Sequence, residues 1–243
     1  MLTILSIVVG TYMLEMVSGS DIRAQEVTLQ RMEAIEQALQ SRWLAEGRVP
    51  CPAAGDAALD SQWYGTEQGD PDDCTANGGE YIGPIAATCN NWDTLCATTC
   101  TSDCGAVYGV VPVRNLNLPD EYALDGWNRR ISYVVDQRYT IAQSSTIDPA
   151  LIVTDDHEIP ASATELGRYP VIMISHGRSG NKAFPANGST VADRPQTRAP
   201  NDAEDHNYNS ANFNNRFVLQ PFRPDLDVAD GRFDLIVRPI TMK

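Results

Sequence analysis

The feature that most constrains this chain is its first 46 residues. Residues 1–17 (MLTILSIVVGTYMLEMV) are almost wholly apolar, and after a small break at Ser18, Gly19 and Ser20 the chain continues as DIRAQEVTLQRMEAIEQALQSRWLAEG. In the second part Ile22, Leu29, Met32, Ile35, Leu39 and Trp43 recur at steps of seven, three, three, four and four, the helical period. Both parts read as one helix in two environments, about 70 Å long at 1.5 Å per residue, with the later part lying on a globular head. Asp21 is suited to a cap or local punctuation, Gly47 to a left-handed C-terminal cap, and Pro50 forbids continuation. This divides the chain into a helix over 1–46 and a head over 47–243.

The apolar start admits three readings. A cleaved signal peptide would carry a basic first region and a small-residue cleavage site, and neither is seen. A plain membrane anchor would be at the short limit, about 17 residues against about 20, with Glu15 costly in lipid unless it reaches the interface or a partner. The third reading is a helix that waits in the membrane and later packs against copies of itself. Sequence alone leaves the last two open.

Of 243 residues, 42% are hydrophobic and 21% charged, enough to bury a core. The net charge of −14 has the wrong sign for the electrostatic attraction that drives non-specific nucleic-acid binding, so no nucleic-acid partner is expected. Six cysteines, Cys51, Cys74, Cys89, Cys96, Cys100 and Cys104, fall in one loop-rich stretch, 51–105. An even count in such a setting argues for disulfides and an oxidising compartment; a zinc cluster would need paired C-x2-C knuckles, which are missing. Six cysteines allow about 15 pairings, and spacing does not choose among them. Residues 47–53 read as a turn from rod to head, and residues 54–105 as a stapled surface loop.

Downstream, residues 107–113 (VYGVVPV), 131–135, 169–175 (YPVIMIS), 216–219 and 232–240 have strand character, with a tight Asp125-Gly126 turn before the second and a glycine-rich turn after Ser175. One helix followed by strands and long loops gives α+β with an antiparallel sheet. The last two runs read as a pair across an acidic turn.

The adjacent Ser175 and His176 suggest a hydrolase. However, neighbours on a strand point to opposite faces and no G-x-S-x-G elbow exposes the serine, so a structural role at a strand-to-turn junction is expected. His157 follows Asp155 and Asp156 and reads as a surface residue; His206 stands alone. Asp225, Asp227 and Asp230, ahead of Gly231, have oxygen ligands spaced for a hard cation, but the third falls one residue late for an EF-hand. An acidic turn before the last strand, with no cofactor, is the resulting expectation, and calcium in a nonstandard loop is its alternative.

A hydrophobic N-terminal helix continuing into an amphipathic one and then GRVPCPAAG resembles the type IV pilin and type II secretion pseudopilin superfamily, particularly a group of long, cysteine-bearing pilin-like proteins. Three further segments match in order: GVVPVRNLNLPDEYALDGWNRRISYVVD (109–136), VIMISHGRSGNKAF (171–184) and GRFDLIV (231–237). The resemblance implies a subunit cut by a prepilin peptidase and held in the inner membrane by its helix. Assembly machinery of a pilus or secretion system then draws it into a helical homopolymer outside the cell, or in the periplasm if the filament is a pseudopilus. It implies no enzymatic activity and an outward-facing sheet packed on the C-terminal half of the helix. The filament core would be lined by the helix side chains Met1, Leu2, Leu5, Val8, Tyr12 and Glu15, and the calcium that major pseudopilins carry near the C-terminus is the resemblance's support for a cation at Asp225, Asp227 and Asp230. Pilins commonly have glutamate at the fifth mature position, where counting from Met1 places Leu5. Glu15 is ten residues on, about 15 Å along a helix, too far to stand in. An alternative within the same resemblance is a minor pilin or adhesin gripping a ligand through loops 54–105 or 183–215.

Overall fold

The computed structural model describes residues 2–69, 74, 80–82, 106–141, 148–149, 151–154, 165–180, 182–188, 216–219 and 235–242, with side chains for these apart from 2–19, 80–82, 165 and 216. A single helix, α1 (Leu2–Glu46), opens the chain. At 45 residues it is about 67 Å long. It ends as its sequence requires: Gly47 takes φ 68° and its N–H closes on the Trp43 carbonyl at 2.8 Å, after which Pro50 blocks another turn. Asp21 is no cap, because the helix runs through residues 18–21 without interruption.

Among the described residues the head has eight strands: β1 (Glu80–Ile82), β2 (Ala106–Val110), β3 (Ser132–Asp136), β4 (Leu151–Thr154), β5 (Glu165–Tyr169), β6 (Val171–Ser175), β7 (Arg216–Val218) and β8 (Ile236–Ile240). Five of them form an antiparallel sheet in the order β1-β2-β3-β6-β8. The other three form a second sheet, β5-β4-β7, in which β4 pairs antiparallel with β5 and parallel with β7. The α+β expectation therefore holds, with one parallel ladder among otherwise antiparallel described strands.

Three layers result, because the central strands are apolar on both faces. All five residues of β2, of β3 and of β6 are buried. Side chains alternate across a strand, so Val107, Tyr133, Val135, Val171 and Met173 meet Met32, Ile35 and Leu39 of α1. Their neighbours Tyr108, Val134, Ile172 and Ile174 face the other way, onto Leu151, Val153, Phe217 and Val218 of the small sheet. The large sheet does not present an outward face as a pilin resemblance implies; the small sheet covers it. Pro170 forms the corner at which β5 leaves one sheet and β6 enters the other, and its carbonyl accepts the Asp136 N–H at 2.9 Å.

Other expectations shift for the same reason. Residues 216–219 and 232–240 do not pair: β7 joins β4 while β8 joins β6, so the two runs lie in different layers. The surface-loop reading of 54–105 fails at its start, where Ala54 and Gly55 are buried. Residues 51–55 are buried and Ala53 exchanges backbone hydrogen bonds with Val110, at 2.8 and 3.0 Å, as an added edge to β2. Ile22 and Leu29, assigned above to the buried stripe of the helix, are 64% and 41% exposed. The stripe set by Met32, Ile35 and Leu39 extends N-terminally at steps of four through Thr28 and Ala24 instead, and both are buried.

Candidate functional site

The attachment of α1 to the head has two parts. Near its N-terminal end the docked segment meets a polar collar formed by two loops, 124–130 and 175–180. Asp21 accepts from Trp127 Nε1 at 3.2 Å and from Arg178 Nη1 at 3.0 Å, so one carboxylate takes a donor from each loop. Two turns on, the Gly126 N–H donates to Thr28 Oγ1 at 2.9 Å, and that hydroxyl donates to the Ala24 carbonyl at 2.7 Å. Arg31 Nη1 donates to the Leu124 carbonyl at 2.8 Å. Glycine is required at 126 because a Cβ there would lie 2.0 Å from the Ala24 carbonyl oxygen.

Asp125 organises the collar from beneath. Its Oδ1 accepts the N–H groups of Trp127 at 2.9 Å and Arg129 at 3.0 Å, and its Oδ2 accepts the Ser175 hydroxyl at 2.7 Å. Burial pushes its carboxyl above the ordinary aspartate range, against the opposing pull of those three donors. Arg129 does not pair with it; its Nη1 donates to the Gly177 and Arg178 carbonyls at 2.9 and 3.0 Å, joining the two loops.

At the C-terminal end of the helix the hub is Glu67. Its carboxylate accepts from Arg42 at 3.2 Å, from Arg48 at 3.2 and 3.3 Å, from the Cys51 N–H at 3.1 Å and from Asn115 Nδ2 at 2.9 Å. The disulfide Cys51–Cys74 closes beside it, both residues fully buried in the core between α1 and the large sheet. Disulfide formation is thus seen for two of the six cysteines. Cys89, Cys96, Cys100 and Cys104 lie outside the described residues, as do Asp225, Asp227 and Asp230, His157, His206 and Met1. Leu2, Leu5, Val8, Tyr12 and Glu15 lie in the helix, but their side chains are outside the described set. Among the described residues no group of His, Cys, Asp and Glu is placed to hold a metal ion.

Ser175 and His176 do face opposite sides of their strand. Ser175 turns toward the helix layer and binds Asp125, whereas His176 Nε2 lies 2.7 Å from Ser132 Oγ, which in turn lies 2.8 Å from the Tyr108 hydroxyl. Both residues are fully buried, so neither oxygen nor imidazole is presented to a substrate. Their chemistry here is satisfaction of buried polar groups.

Besides Leu44 near its end, α1 exposes a flank bearing Ile22, Val27 and Leu29, with Val27 36% exposed, interleaved with Arg23, Glu26 and Glu33. Among the residues whose side chains are described no helix is long and apolar enough to cross a membrane; the side chains of the apolar segment 2–19 are not in that set. Sequence reading missed the collar residues Trp127, Arg178, Thr28 and Arg31 and the hub Glu67. The Asp-Gly turn signalled a tight loop, yet nothing in the spacing told that this loop closes on a helix about 100 residues earlier. Compared with protein-family models, curated proteins and solved structures, the chain matches none.

Proposed function

We propose that this protein is a non-enzymatic structural subunit of an extracellular type IV pilus-like or pseudopilus filament, assembled through its N-terminal helix. The observation that carries the reading is the continuity of α1: one helix from Leu2 to Glu46 whose later part is docked on the head and whose earlier part is the apolar segment. Such a segment is insoluble on a free protein. Packed among copies of itself, it removes apolar surface from water at about 25 cal/mol per Å². The membrane holds it before assembly, in the inner membrane next to pilus or secretion machinery, and the polymer holds it afterwards. The buried Cys51–Cys74 bridge fits a head that matures in an oxidising compartment.

Electron microscopy of sheared cell-surface or periplasmic material tests this. Filaments composed mainly of this chain are expected, and a chain that stays monomeric in detergent with no filament in any fraction overturns the reading. A minor subunit at a filament tip is the second reading, favoured by the exposed Trp63 and Leu59 in the loop beside the Arg114–Asp120 ion pair. Sparse labelling of filament ends by an antibody to the head, with no labelling along their length, distinguishes it.

A further inference from the structure

The docked part of α1 uses only one side of the helix, and the other side is not uniform. Ile22, Glu26, Leu29 and Glu33 follow one another at steps of four, three and four and form a stripe in which apolar and acidic side chains alternate. Arg23, Val27, Gln30 and Ala34 follow at the same steps one residue later, which places a second stripe about 100° around the helix. The second stripe bears one cation, Arg23, against the two anions of the first, and an aliphatic residue of its own, Val27, to set against Ile22 or Leu29. Arg23, Glu26 and Glu33 are exposed, and none makes an ion pair with the described residues. A solvated helix face would gain nothing from Ile22 at 64% exposure and Leu29 at 41%.

We infer that these two stripes are the two halves of one contact between copies of this chain, Arg23 and Val27 of one copy meeting Glu26 or Glu33 and the Ile22–Leu29 aliphatics of the next. The inference rests on the filament reading above and names its register device. Two different, complementary patches on one molecule make a heterologous contact, which propagates as an open helical array when the rotation does not close into a ring. A self-complementary patch would instead stop at a pair. The charges supply register, because apolar helix surfaces slide past one another at little cost and an ion pair does not. The offset between copies follows from which glutamate is used: about 4.5 Å along the axis for Glu26 and about 15 Å for Glu33.

The test is charge reversal with rescue in the full-length chain, expressed in cells that assemble it. Arg23→Glu sets like charges against each other across the contact, and polymer recovered from sheared material falls about tenfold or more, at about 1.4 kcal/mol per tenfold. Adding Glu26→Arg or Glu33→Arg to Arg23→Glu restores polymer for the glutamate that is the true partner and thereby reads the offset. Melting of the head stays at the wild-type temperature in every variant, since none of the three residues supports the fold. If wild type forms filaments and Arg23→Glu forms them equally well, the two-stripe contact is wrong while the filament reading stands. Reversal that releases the chain from the membrane before assembly assigns the flank to a lipid surface and overturns the contact between copies. If wild type forms no filament, the parent reading itself has failed.

Discussion

At its C-terminal end α1 buries Met32, Ile35 and Leu39 completely against β2, β3 and β6, while between Asp21 and Arg31 it meets the head through Ala24, Thr28 and a set of hydrogen bonds. The first attachment is non-directional, and each large side chain in it contributes about 1.5–3 kcal/mol of burial. The second is directional and thin. Its outermost contact, the Asp21–Arg178 pair, has a half-exposed arginine, so it contributes about 0–1 kcal/mol. The base is fit to hold the helix permanently, and the collar is fit to fix its angle. Under the filament reading proposed above the helix needs both, because a head wobbling on it would blur every contact the helix makes.

This division can be broken deliberately. The largest effect is expected from Leu39→Ala, which opens a cavity in the helix-sheet core and costs about 2–5 kcal/mol; chemical denaturation should show the whole head losing stability. Removing the bridge with Cys51→Ser should cost about 3 kcal/mol, by the same measurement, because the disulfide closes a loop of 23 residues at the foot of the helix. A loss near zero would mean that Glu67 and its arginines hold that foot unaided. Gly126→Ala attacks the collar alone: its new Cβ must displace the Ala24 backbone, at about 1–3 kcal/mol. Hydrogen exchange should then quicken at residues 20–31 and stay slow at 32–46. Equal acceleration along the helix would show that collar and base are one cooperative unit.

The smallest effect is a pH dependence. Asp125 has a folded-state value raised above 3.8 by burial, so the folded protein binds its proton more readily than the unfolded chain does. Its contribution is therefore full at acid pH below 3.8 and is lost as pH rises through the elevated value. Asp125→Asn keeps an acceptor for the Trp127 and Arg129 N–H groups and cannot ionise. Across that window the variant should lose less stability than wild type does, by about 1.4 kcal/mol for each tenfold by which folding tightens proton binding. A wild type whose stability relative to the variant rises with pH there would reverse the sign and refute the assignment.

Much of the head was legible. The runs at 107–113, 131–135 and 169–175 are β-branched or aromatic, and strands β2, β3 and β6 are found within or beside them. The end of the helix was equally plain, because Gly47 and Pro50 act through local backbone geometry. Strands β4 and β5 were not seen. LIVT and ELGRY are short, and they are held by pairing with each other and by packing on the large sheet, which their own sequence does not record. Placing Ile22 and Leu29 in the buried stripe failed for a related reason. Apolar residues mark a helix face only where something arrives to cover them, and in the collar the head arrives on the face of Ala24 and Thr28, where small side chains let a loop approach closely.

Sequence by itself determined the long helix, its stopping point, the strand-rich head that follows and the acidic surface, since each depends on local periodicity, on glycine and proline, or on summed charge. Only the tertiary structure decided which side of the helix is used, that Cys51 joins Cys74, and that Ser175 and His176 are spent on Asp125 and Ser132. These are choices among partners far apart in the chain. A pattern with a period of two or 3.6 residues states which face is apolar but carries no record of what will be laid against it.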